Sequence, residues 1–179
     1  RHTGDEEYNG FLAVLFPASQ LQILPYNRCV KDLNGLTKEQ FLDAVRKAFS
    51  VAGTASSNPV APRQVSMYLA GAWFGLSWEA AGGDPVASLD VSYVQERLLG
   101  PILGIRDPRT DQRIEFVGGI RGTAELVKRV DSGRAAVAFS MCPVTVDQVM
   151  AIADAGRIMP PKSTWFEPKL RSGLLVHTL

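Results

Sequence analysis

Lys162, Ser163, Thr164 and Lys169 stand within eight residues of one another, flanked by Pro160, Pro161 and Pro168. Proline narrows the backbone's choices, so such a stretch holds its side chains toward a limited region. Ammonium groups and hydroxyls gathered there suit a phosphate or a carboxylate. A solvated surface loop has the same composition, and that alternative stays open. Read more widely, residues 156–163 (GRIMPPKS) come close to a phosphate-binding P-loop. Pro161 takes the second glycine's place, however, and proline has no amide hydrogen to aim at a phosphate oxygen. The stretch also follows a helical pattern instead of leading from a strand into one. The P-loop reading is excluded.

Two further segments carry candidate anion ligands. In Gly118-Gly119-Ile120-Arg121-Gly122 a strand pattern gives way to a helical one. The start of a helix offers unpaired amides, and Gly119 and Arg121 are its candidate residues; a purely structural turn is the alternative. Pro25-Tyr26-Asn27-Arg28 ends a predicted strand, where polar groups commonly face a ligand crevice. There Arg28 either meets an anion or pairs with a carboxylate of the chain itself. Nucleophilic triads find no support, because His2 and His177 lie at the two ends and no glycine-flanked serine elbow precedes a helix. Asp5-Glu6-Glu7 reads as a solvated charge cluster. Cys29 and Cys142 sit in apolar surroundings and read as core thiols, without the number or spacing of a disulfide or zinc framework.

These residues need a scaffold, and the elements that supply it read as α/β. Thr37 and Gln40 form a capping box ahead of a helix whose Phe41, Leu42, Val45, Ala48 and Phe49 share one face. Residues 65–78 read as two strands or a bent one, and 89–103 as a helix that Pro101 should end or kink. The last third reads as strand 113–117, helix 123–130, strand 135–141, then a helix capped by Thr145 and Gln148 and closed by Gly156. That β-α-β-α order implies a crossover packing helices on a mixed sheet. Residues 10–30 are expected to form an N-terminal hairpin, with strands at 11–16 and 21–25, and 173–178 a last strand of the same sheet. The 179 residues suffice for a single domain spanning the chain. Apolar runs are too short for a membrane-spanning helix, and the polar, acidic start carries no secretory signal, so a cytoplasmic protein is expected. A net charge of +1 argues against nucleic acid as a partner.

Leu24-Pro25-Tyr26-Asn27-Arg28, Phe116-Val117-Gly118-Gly119 and above all residues 159–170 (MPPKSTWFEPKL) resemble a widespread prokaryotic family, domain of unknown function 1015, often labelled SpoOJ/ParB-like. The resemblance covers the whole chain as that family's C-terminal half. Family members commonly read Pro-Thr-His-Arg where this chain has Tyr26 and Asn27, so a histidine fit for acid–base work is replaced by Asn27. They also carry tyrosine where it has Trp165 and Glu167.

Members carry an Asp-Gly-His-His-Arg stretch just upstream of the point where this chain begins. It is similar to the phosphate-binding signature of a ParB and sulfiredoxin-like fold, some of whose members phosphorylate free serine. The resemblance implies a small-molecule phosphotransferase acting on serine or phosphoserine, using ATP or ADP with Mg in the full-length protein. Its N-terminal half would hold the nucleotide and base. Arg28, Gly119, Arg121, Lys162, Ser163, Thr164 and Lys169 would then grip the phosphate or carboxylate of a small-molecule ligand from the other side. The rival expectation is a non-catalytic interaction or regulatory module, docking through Trp73, Trp78 and Trp165.

Overall fold

The computed structural model describes residues 2–53, 55–79 and 83–178. The chain divides into two compact units, one of residues 23–165 and a smaller one that joins residues up to 22 with those from 166 on.

The larger unit is built on a six-stranded sheet. Its strands are β2 (Tyr26–Val30), β3 (Ser50–Gly53), β4 (Gln64–Leu69), β5 (Ala72–Ser77), β6 (Ile114–Gly118) and β7 (Val137–Met141), in the order β3-β5-β4-β7-β2-β6. Every neighbouring pair is antiparallel. β6 and β7 therefore run parallel to each other on either side of β2, and the helix α3 (Gly122–Asp131) makes the crossover between them. This is the connection that the β-α-β pattern implies, and the α/β class holds. β1 (Gln22–Leu24) and β8 (Trp165–Glu167) form a separate two-stranded sheet.

Side-chain alternation sorts the two faces of the main sheet. Val30, Val65, Met67, Leu69, Leu76, Ile114, Val137, Phe139 and Met141 face the larger core. Onto that core pack α1 (Lys38–Ala48) through Phe41, Leu42 and Val45, α2 (Asp90–Val94) through Val91 and Val94, and α4 (Val146–Asp154) through Ile152. Each such side chain withdrawn from water contributes about 1.5–3 kcal/mol. Cys29, Tyr68, Val117 and Ala138 face the other way, beneath Leu126 of α3. Both capping boxes form as the sequence predicts: Thr37 with Gln40, and Thr145 with Gln148. The helix expected over 89–103 is α2 followed by a π-turn, Gln95–Leu99, and it stops ahead of Pro101.

Two expectations are corrected. Residues 11–16 form no strand and no hairpin, and Phe11 and Leu15 are about nine-tenths exposed (86% and 94%). An unbroken apolar run has no alternation to select a face, so nothing in it fixes a pairing register. Residues 173–178 form no strand either. Gly173 takes a positive φ of 81° and turns the chain, and Leu174, Leu175 and Val176 are exposed. Within this smaller unit Glu6 accepts the amides of Thr3 and Gly4 and the side chain of Asn9, while His177 bonds the Glu7 carbonyl. Among the described residues no helix is long and apolar enough to cross a membrane.

Candidate functional site

Arg28 lies in the middle of β2, between β6 and β7, and its side chain leaves the sheet on the face of the larger core. It is 3% exposed. One guanidinium nitrogen, Nη1, donates to the Tyr26 carbonyl at 2.6 Å, and the group lies 5.5 Å from the centre of the Phe116 ring. Among the described residues no carboxylate pairs with it. Burial pushes its pKa down to about 10, as expected of a cation withdrawn from water without a counter-charge.

The guanidinium lines a groove of about 380 Å³. Ser92, Gln95 and Glu96 form one wall, from α2 and the π-turn, and residues 106–109 (RDPR) form another. The Gln95 amide donates to the Ile105 carbonyl at 2.7 Å, and Arg113 donates to the Leu103 carbonyl while forking onto Asp111. These bonds fix both ends of the arginine-bearing loop. Arg109 forks onto Asp107, and that ion pair holds the Asp107 carboxyl below the usual range. Arg106 is exposed and has no ion-pair partner among the described residues. Three guanidinium groups thus face two carboxylates, Glu96 and Asp107, so the groove is positive.

A second hollow of about 320 Å³ shares Pro108, Arg109, Phe116 and Pro161 with the groove and adds Lys162. The turn at residues 160–163 places that lysine. Pro161 precedes Lys162, whose φ is +55°, the proline-then-positive-φ pattern of a type II turn in which glycine is the usual third residue. The buried Ser163 hydroxyl donates to the Pro160 carbonyl and closes the turn. The Lys162 ammonium sits 5.3 Å from the centre of the Tyr26 ring, and Tyr26 packs edge-on against Trp165 and Phe116.

The structure therefore brings Arg28 and Lys162 to adjoining hollows, with Ser163 supporting the lysine and Thr164 half-buried beside it. Gly119 and Arg121 are placed elsewhere. The Gly119 amide donates to the Pro25 carbonyl at 2.8 Å and is not free for a ligand. An added Cβ there would lie 2.7 Å from the Pro25 ring, which explains the glycine by close approach. Gly118 is likewise a contact, since a Cβ would lie 2.5 Å from the Trp165 ring. Arg121 is exposed beside Glu125 and lines neither hollow. Lys169 belongs to the other unit. Gln95, Arg106 and Arg109 were not picked out by sequence reasoning. Arg106 and Arg109 fall in the Arg-Asp-Pro-Arg run before β6, whereas Gln95 carries no local signal.

The remaining aromatic and thiol candidates are half-buried or buried. Trp78 stacks on Tyr93 at 4.6 Å, and Trp73 packs on Tyr68. Burial pushes the Cys29 thiol up to about 12 and raises that of Cys142, so neither is a ready nucleophile.

Residues 1–92, just over half of the chain, match the family model described as Protein of unknown function (DUF1015), and the chain belongs to that family. No curated protein matches it. Among solved structures, a mutant free serine kinase in complex with AMP is similar at a TM-score of 0.50 and 14% identity, over 82% of this chain and 54% of that one. A mutant of the kinase in complex with ADP matches at 15% identity and a TM-score of 0.47, with the same coverage. The first likeness shows a shared fold, of which this chain spans about half the kinase's length.

Proposed function

We propose that this member of the DUF1015 family grips an anionic small molecule through Arg28, as one part of a phosphotransfer site for serine or phosphoserine-like substrates. The observation that carries the reading is the guanidinium of Arg28, 3% exposed, without a carboxylate partner, opening on a positive groove. Leaving a buried charge unpaired is costly, and chains do so where a ligand supplies the counter-charge. Arg106, Arg109 and Lys162 widen the positive field around it. A transferring phosphoryl group needs positioned cations more than covalent chemistry, and this arrangement provides them.

The fold shared with a free serine kinase supports the same class of chemistry. In this reading an N-terminal half of the protein supplies ATP or ADP, Mg and the general base, while the present residues hold the phosphate or carboxylate. Thr164, half-buried beside Lys162, is proposed as a further anion contact. Glu96 faces the arginines across the groove and suits the ammonium group of an amino acid.

Calorimetric titration with phosphoserine, inorganic phosphate, ADP and ATP, with and without Mg, tests the proposal. Phosphoserine should bind the native chain, and Arg28→Met should weaken it by about a hundredfold, the ~3 kcal/mol of a buried charge-assisted bond. Equal affinity in that variant overturns the reading.

A further inference from the structure

Two cations, Arg28 and Lys162, meet at one tyrosine. Tyr26 and Arg28 alternate along β2, so both leave the sheet on the same face, with Cα atoms about 7 Å apart. Arg28 bonds the Tyr26 carbonyl at 2.6 Å, and the Lys162 ammonium lies 5.3 Å from the centre of the Tyr26 ring. Each cation thus has its own ring, Phe116 for Arg28 and Tyr26 for Lys162, and the two rings meet edge-on at 6.5 Å. A ring face orients a cation without neutralising it, so its remaining N–H donors stay available to a ligand.

Arg28 lines the first hollow and not the second, and Lys162 the second and not the first. The residues common to both are uncharged or paired. Pro108, Phe116 and Pro161 make an apolar sill, and Arg109 beside them is forked onto Asp107. In the second hollow the Asp111 carboxylate is likewise taken up by Arg113. Lys162 is exposed and has no ion-pair partner among the described residues. In the first hollow Arg106 and Glu96 oppose one another in sign. Two uncompensated charges therefore stand on either side of a neutral sill. The backbone of Lys162 adds a second observation. Its φ of +55° is one that glycine adopts without cost, so the lysine holds its place against a local penalty.

We infer that the ligand is a short compound with an anionic group at each end, lying across the sill with one end on Arg28 and the other on Lys162. This rests on the anion reading above and adds to it a second charge and the residue that selects for it. A lone phosphate settled on Arg28 would leave Lys162 unmatched, and one settled on Lys162 would leave the costlier buried charge unmatched. A ligand with two anions answers both, while its uncharged middle meets Pro108, Phe116 and Pro161. An amino acid phosphorylated on its side chain has this form. Lys162 is then a specificity residue, telling such a compound from one with a single anionic end.

The test is calorimetric titration with phosphoserine and with phosphoethanolamine, which lacks only the carboxylate. Phosphoserine should bind the native chain about tenfold tighter, the share of one exposed charge-assisted bond. Lys162→Met should bring the two compounds to within about twofold of each other, whereas Lys162→Arg, which keeps the charge, should keep the tenfold preference. Lys162 is exposed, so both variants should melt as the native chain does. Equal affinities in the native chain, a preference that survives in Lys162→Met, or one lost in Lys162→Arg would each overturn the proposal and leave the anion reading standing. Failure of both compounds to bind the native chain at millimolar concentration would remove the two together.

Discussion

Replacing Arg28 with methionine separates a guanidinium kept for binding from one kept for folding. Methionine fills much of the same space without the charge. Burial lowers the Arg28 pKa from 12.5 to about 10, and at 1.36 kcal/mol per unit that is a penalty of about 3 kcal/mol on the folded state. The folded pKa lies below the unfolded one, so the penalty is fully present below about pH 10 and is relieved only as pH rises through and above it. It is therefore constant over the neutral range, and denaturant, not pH, is the useful variable.

Against it stand the bond to the Tyr26 carbonyl and the contact with Phe116, together worth about 2 kcal/mol. Arg28→Met should thus be more stable than the native chain by about 1 kcal/mol, moving the urea midpoint up by roughly 0.5 M for a slope near 2 kcal/mol per molar. Tryptophan fluorescence during urea unfolding measures it. A loss of about 2 kcal/mol or more would mean that the guanidinium is a structural strut, and the argument from an uncompensated charge would fail.

Gly119→Ala should cost about 2–3 kcal/mol, because its Cβ meets the Pro25 ring and carbonyl at 2.7 and 2.8 Å; a melt within a degree of native would show that the turn can shift. Asp90 is 9% exposed, its carboxylate accepts the Arg63 amide, and burial raises its pKa to about 6. Its folded pKa exceeds the unfolded value of 3.8, so ionisation costs stability as pH rises from about 4 to 6, and the cost persists above that. Asp90→Asn should therefore gain about 1–2 kcal/mol on the native chain between pH 4 and pH 7, read from urea unfolding at both. Arg129→Met removes a guanidinium that bonds both Glu115 and Glu125 and should cost about 2 kcal/mol, with little change in 0.5 M salt because the arginine side chain is only 11% exposed.

The elements whose signals are local were legible in the sequence. Thr37 and Thr145 announced their helices because a cap and its partner lie three residues apart. The β6-α3-β7 crossover followed from element order. What failed was pairing that depends on a distant strand. The apolar runs at 11–16 and 174–176 have strand composition, but no alternation and no neighbour to complete a ladder.

The positions of the candidate residues, as distinct from their roles, can be compared with the sequence reading. Arg28 and Lys162 announced themselves by their proline-marked surroundings, and 134 positions apart they line adjoining hollows. Gly119 looked like an anion loop because close backbone packing and anion binding call for the same residue. Only the fold shows which of the two a glycine serves. Gln95, Arg106 and Arg109 were hidden because their convergence on Arg28 is set by the π-turn and the loop's anchors, which no short-range pattern encodes.

The most direct test of the anion groove observes the arginine itself. Side-chain Nε–Hε resonances of the native chain, followed during titration with phosphoserine, distinguish Arg28 from Arg106, Arg109 and Arg121. The Arg28 signal should move first and furthest, saturating together with those of Arg106 and Arg109, while Arg121 stays in place. Saturable movement at Arg121 with none at Arg28 would put the anion at the start of α3 and contradict the account.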